Sequence, residues 1–274
     1  MIIMTDSTSD LTYEEAEALG VEMYSLKVIF GNRIYEDKRT ITNVEFYEKL
    51  RTSKELPTTS LVSAGEWLDA FRAHPDDDII VLPLSSGLSG TYAAACAARD
   101  ETGRRNIHVI ETSTICVGLS MLVKLAVKMR AEGKPVGEIV RYLTRVAPRI
   151  RIYVVPETLR YLIRGGRLSL VTGAVGELLS VKPIAMLQNG VVKNMKKARG
   201  MNAALNALVE IIMTQFPPDL SMPAAYAHAG NFDGVQALAA KLPFVTHEEP
   251  AWMGSVVGTH CGPGSVVVAY FQLA

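Results

Sequence analysis

The sequence is poor in features that would settle a chemistry by themselves. It has three cysteines, Cys96, Cys116 and Cys261, and no Cys-x-x-Cys pair. Thiols so few and scattered make no disulfide framework, and a reducing, cytoplasmic compartment is expected. Among its five histidines, His74, His108, His228, His247 and His260, no two stand at metal-ligand spacing, so no metal is expected. Charge of one sign is not in excess: 28 Lys and Arg face 28 Asp and Glu. Such a balance argues against a nucleic-acid partner and against an anionic membrane as the main one. Long apolar runs are also lacking. The best, residues 115–129, is broken by Lys124 and Lys128 and falls short of the roughly 20 residues a span needs, so no stable membrane insertion is expected. Met1-Ile2-Ile3-Met4-Thr5-Asp6 has no basic stretch before its apolar run and reads as a strand, not a signal peptide.

What is present is a chain of 274 residues, 49% hydrophobic, enough for one large or two modest domains. In the first half, apolar strands at 2–5, 78–84, 107–110 and 150–155 alternate with helices at 12–19, 67–73, 91–102, 115–131 and 136–146. Thr42-Asn43-Val44-Glu45 and Ser63-Ala64-Gly65-Glu66 have capping-box spacing and mark helix starts. Apolar strands separated by helices predict a three-layer, parallel-sheet, Rossmann-like α/β domain over 1–156. Beyond it the texture changes. Asn189-Gly190 between 181–187 and 191–196 signals a hairpin. Helices are expected at 157–163, 173–179, 201–213 and 232–241, and strands at 224–228 and 265–271. A two-layer α/β domain with a mixed sheet is expected over 157–274. The stripe Leu119, Leu122, Val123 and Ala126 reads as core rather than pocket.

Ligands of open parallel sheets gather at the carboxyl ends of the strands. Asp6-Ser7-Thr8-Ser9-Asp10 follows the first strand there, and Ser85-Ser86-Gly87-Leu88-Ser89-Gly90-Thr91 follows 78–84 and opens a helix. Thr58-Thr59-Ser60 falls in a loop nearby. Hydroxyls plus free N–H groups at a helix start form an anion site without formal charge, which suits a carboxylate with a buried tail. The same clusters also serve as helix caps and turns. Arg167, Lys196, Lys197 and Arg199 offer cations in the second half, and a basic cluster is as a rule a solvated face. His260 stands in Thr259-His260-Cys261-Gly262-Pro263-Gly264, where glycines let backbone approach a ligand.

Taken together and in order, these segments resemble the DegV family. The resemblance is carried by Thr5-Asp6-Ser7-Thr8-Ser9-Asp10-Leu11, Pro57-Thr58-Thr59-Ser60, Leu84 to Tyr92, Leu159 to Ser169 and Gly258 to Gly264. It spans nearly the whole chain. The chain departs from the family pattern at Leu61-Val62, Glu111-Thr112-Ser113 and Ser265. The resemblance implies two domains with one long-chain fatty acid between them. It implies that Thr59 and Ser89 bond the carboxylate, with Ser60, the Gly90 backbone and His260 beside it. It further implies a non-enzymatic lipid carrier serving a separate bacterial fatty-acid kinase, with Arg167 and Arg199 facing the kinase or the phosphoryl group. No cofactor is expected.

Two other readings remain open. A serine hydrolase would use Ser89, His260 and Asp6, although Gly87-Leu88-Ser89-Gly90-Thr91 is not the Gly-x-Ser-x-Gly elbow. An interaction module without a ligand would need the polar loops only as caps.

Overall fold

The computed structural model describes residues 1–53, 55–168, 181–188, 190–244, 246 and 248–274. The helix expected at 173–179 lies outside the described residues, as do Ser169, Asn189 and His247.

The chain opens with β1 (Ile2–Asp6), α1 (Tyr13–Ala18), β2 (Val21–Tyr24), β3 (Lys27–Phe30), β4 (Arg33–Glu36) and α2 (Asn43–Thr52). It continues through β5 (Thr58–Ser60), α3 (Ala64–Arg72), β6 (Ile79–Leu82), α4 (Thr91–Thr102), β7 (Ile107–Val109), α5 (Cys116–Ala131) and α6 (Val136–Val146). The helix starts have local causes. Thr12, Thr42 and Ser63 each accept from the backbone N–H three residues on, and Glu15, Glu45 and Glu66 reach back to complete capping boxes.

A four-stranded parallel sheet has the order β2-β1-β6-β7, with Ile3 opposite Val21 and Ile80 opposite both Ile3 and His108. All four residues of β6 are buried, as befits a strand covered on both faces. Residues 21–30, an extended stretch by their composition, form two strands and not one. β3 leaves the parallel sheet and pairs antiparallel with β4 and β5 in a three-stranded sheet. Thr58-Thr59-Ser60, expected as loop, is therefore a short strand. Three residues are too few for alternation to register in the sequence.

The second half comprises β8 (Ile150–Val155), α7 (Arg160–Arg164), β9 (Val181–Gln188), β10 (Val191–Arg199), α8 (Met201–Gln215), β11 (Ala224–His228), α9 (Phe232–Ala239), β12 (Ala251–Trp252), α10 (Ser255–Cys261) and β13 (Val266–Phe271). Its six-stranded mixed sheet runs β10-β9-β8-β13-β11-β12, antiparallel except for β11 with β12. By sheet membership the changeover falls between β7 and β8, ahead of residue 156. An apolar strand such as β8 reads alike in the sequence whichever sheet receives it. Period-two alternation splits β13: Val266, Val268 and Tyr270 join the core under α8 and α9, while Val267, Ala269 and Phe271 face the main core.

Between the two sheets lies α5. It packs on β1 and β6 and also on β8, β11 and β13. Leu119, Leu122, Val123 and Ala126 are fully buried, as expected of core. A helix apolar around most of its girth needs cover on more than one side, and α5 has it. No helix among the described residues is long and apolar enough to cross a membrane.

Candidate functional site

The turn after β6 is held from several directions. Ser85 N donates to Thr114 O (2.8 Å), and the Leu88 and Ser89 amides donate back to Ser85 O. Glu111 accepts from Ser86 N and Ser113 N, so this departure from the family pattern braces the turn. Ser89 then ends beside the first residue of α4. Its hydroxyl lies 3.0 Å from Thr91 Oγ1 and accepts from Thr91 N. Gly90 takes the N-cap position and brings no side chain, so the amides of the opening turn of α4 beyond Thr91 are not capped by it.

Ser89 and Gly90 line a cavity of about 270 Å³ between the loop after β6, the strand β5, the six-stranded sheet and α10. That lies near the lower end of small-molecule pockets, roughly 300 Å³. Thr59, Ser60, Arg167 and His260 line it as well. The pairing of β5 with β3 delivers Thr59, whose hydroxyl lies 3.0 Å from His260 Nε2. Arg167 spans the two halves of the molecule. Its Nε donates to Leu88 O (3.3 Å) and its Nη1 to Gly165 O. The rest of the lining is apolar, including Leu84, Ile152, Leu187, Val192 and Val257. The cavity is thus amphipathic: hydroxyls, an imidazole, one guanidinium and a helix start, backed by hydrocarbon.

His260 belongs to the last turn of α10, just ahead of the glycines that follow it in the sequence. The run Ser255-Val256-Val257-Gly258-Thr259 has weak helix formers and hides the element. Burial, with the Arg167 charge beside it, pulls the His260 pKa down to about 4. The ring is therefore neutral at pH 7, one nitrogen a donor and the other an acceptor. An NMR titration of the lipid-free protein is expected to give a His260 midpoint of about 4. A midpoint near the ordinary value of about 6.5 would mean an exposed ring. Between these two values the unfolded chain holds the extra proton, so this ring makes stability fall as pH drops through the window.

The structure thus brings together Thr59, Ser60, Ser89, Gly90, Arg167 and His260. It leaves Arg199 apart, exposed at the end of β10 and outside the cavity lining. Asp6 to Asp10 does not reach the mouth. Asp6 caps a buried turn, accepting from Thr8 N (2.9 Å) and from Leu84 N (2.7 Å), so the capping reading holds there. Ser89, His260 and Asp6 share no hydrogen bond, and the hydrolase arrangement is not formed. Among the described residues no cluster of His, Cys, Asp or Glu could hold a metal ion. Sequence reasoning missed the wall. Leu26, Cys116, Met253 and Val256 carry no signal that separates pocket from core. It also missed Gly165, whose bare Cα leaves room for the His260 ring.

Fold and site together define an α/β protein of three sheets with an internal amphipathic cavity, whose lining suits a ligand with a polar head and an apolar body. The chain matches the DegV family, described as uncharacterised proteins, over residues 1–273. It is 33% identical over 277 residues to a DegV domain-containing protein of Deinococcus radiodurans, covering 99% of this chain and 98% of that one. It is 30% identical over 275 residues to the protein DegV of Bacillus subtilis, covering 98% of each. Among solved structures, a DegV family protein from Thermus thermophilus, described by its fatty acid binding, is 30% identical and superimposes with a TM-score of 0.87 over 99% of both chains. A Thermotoga maritima protein said to reveal fatty acid binding function gives 26% identity and a TM-score of 0.86, over 99% of each chain. This chain belongs to the DegV family.

Proposed function

We propose that this protein is a carrier that binds one long-chain fatty acid in the cavity and presents its carboxylate to a separate kinase. The observation that carries the reading is the gathering of Thr59, Ser60, Ser89, Gly90 and His260 on one otherwise apolar cavity. Hydroxyls, the neutral imidazole and helix-start amides give a carboxylate donors at no cost in buried charge. Tail burial supplies the affinity. Each methylene contributes about 0.8 kcal/mol, so a long chain gains on the order of 10 kcal/mol gross. Association and ordering take back several kcal/mol. The fatty acid binding described for the related structures supports the same ligand class.

In this reading the chain is no enzyme; it works in the cytoplasm without metal or cofactor. The kinase supplies the phosphoryl donor. Arg167, at the cavity and half-buried, faces the carboxylate and the phosphoryl group transferred to it. Arg199, exposed on the edge strand β10, faces the kinase surface instead. Ser89→Ala is expected to weaken fatty-acid binding about tenfold, the loss of one hydrogen bond to a charged group. Isothermal titration with a defined acid checks this, and unchanged affinity would remove Ser89 from the site. The reading as a whole is tested by native mass spectrometry of the purified protein, followed by lipid extraction. A stoichiometric adduct released as free fatty acid is the expected result. A bare protein that also fails to take up added fatty acid would overturn it in favour of a ligand-free interaction module.

A further inference from the structure

The two ends of α10 stand in different surroundings. At its start, Gly254 N donates to Asp10 Oδ1 (2.9 Å), while Ser255 N and Oγ donate to Asp37 Oδ1 (2.8 and 2.6 Å). Asp10 comes from the turn after β1 and Asp37 from the residue after β4. Both carboxylates are buried. Lys38 curls back so that its ammonium donates to Ser7 O (2.8 Å) and Leu11 O (2.9 Å), and it lies 3.8 Å from Asp10 Oδ1. The Cys116 thiol donates to the other oxygen of Asp10. Asp10, Lys38 and Cys116 have φ of +59°, +65° and +56°, a region unfavourable to any residue with a side chain. Left-handed residues gathered at one contact mark a geometry that its surroundings over-determine.

About 7.5 Å further along the helix axis, by the rise of an α-helix, stands His260. Val256 and Val257 between the two ends face the cavity. A short helix is usually started by a side chain at its own N-cap, which stabilises it without orienting it in the molecule. Gly254 has no such side chain. Nor would one fit: a Cβ there would lie 2.9 Å from Lys38 Cε and 3.1 Å from the Asp37 carboxylate. The capping carboxylates come instead from two loops of the opposite half of the chain. They fix both the rotation of α10 and its height against β5, which carries Thr59.

We infer that Asp37 and Asp10, steadied by Lys38, are positioning residues of the head-group site, which set where His260 meets Thr59 and the bound carboxylate. The inference rests on the carrier reading above. The test measures affinities for a long-chain fatty acid and for its methyl ester, which shares the tail and lacks the charge. Asp37→Ala is expected to weaken the acid about tenfold and the ester less than about threefold. Asp37→Asn keeps an oxygen for Ser255 N and is expected to restore acid binding to within about threefold. Placed on His260→Ala, Asp37→Ala is expected to add less than about threefold. If Asp37→Ala is too unstable to assay, Ser255→Ala removes only the hydroxyl bond; about a threefold loss for the acid alone is expected, and no change would overturn the inference. Equal weakening of acid and ester, or the same loss with and without His260, makes the network one of fold maintenance and also overturns it. A wild-type protein that binds neither ligand is a failure of the carrier reading itself, and is seen before any variant is made.

Discussion

Gly165→Ala is expected to lower fatty-acid affinity about 10- to 100-fold while affinity for the matching methyl ester changes little. Gly165 closes α7 with φ −73° and ψ −7°, a conformation alanine adopts freely. The effect is therefore confined to the added methyl. A Cβ at this position would lie 2.2 Å from His260 Nδ1 and 3.1 Å from Tyr161 O. The helix backbone cannot yield, so the ring must. It would leave Thr59 Oγ1, now 3.0 Å from Nε2, and turn away from the head-group position. Calorimetry with the two ligands checks this. Equal loss for acid and ester would place the damage in the tail cavity, and no loss would show that His260 does not act on the carboxylate.

Gly87→Ala is expected to speed release of bound lipid by about 10- to 100-fold. Here the contact is backbone on backbone. A Cβ on Gly87 would lie 2.2 Å from Gly190 O and 2.8 Å from Gly190 C. Gly190, at φ +77°, sits in the turn between β9 and β10, and Ser85 Oγ donates to the same carbonyl at 3.3 Å. Leu187 and Val192, paired on either side of that turn, both line the cavity. Pushing the turn off the Ser85–Gly87 segment therefore lifts two wall residues. Stopped-flow displacement of a fluorescent fatty acid reads the rate. Release at the wild-type rate would mean that this contact does not close the cavity.

Much of this molecule was legible in its sequence where a local cause acts alone. α4 and α6 begin and end where expected, because glycines bracket one and Pro135 opens the other. The capping boxes at Thr42 and Ser63 form as their spacing predicts. The fold class followed from the apolar strands of the first half and the hairpin of the second. What escaped depends on partners far along the chain. β5 is a strand only because β3 lies beside it. α10 is held by carboxylates more than 200 residues upstream, at sequence separations of 244 and 218. Ser89 and His260 stand out as polar groups beside glycines, and Thr59 as part of a hydroxyl cluster that the family resemblance points to. Val257 and Leu187 do not, because a hydrocarbon wall and a hydrocarbon core are written with the same residues. Arg199 resembled Arg167 in the sequence, yet the structure puts one in solvent and the other on the cavity.

The shared position of α5 bears on how a long chain gets in and out. Hinging the two sheets apart would strip one side of this helix. Each large apolar side chain so uncovered gives up about 1.5–3 kcal/mol, so a few of them bring the cost to several kcal/mol. A clamshell motion is thereby made rare. That leaves the rim, where among the described residues the β9–β10 turn meets the loop before α4 through the Gly87 and Gly190 backbone and the Ser85 hydroxyl. On the carrier reading, exchange at that rim would leave the body of the protein shut, and its rate would follow the rim contact and not the stability of the fold.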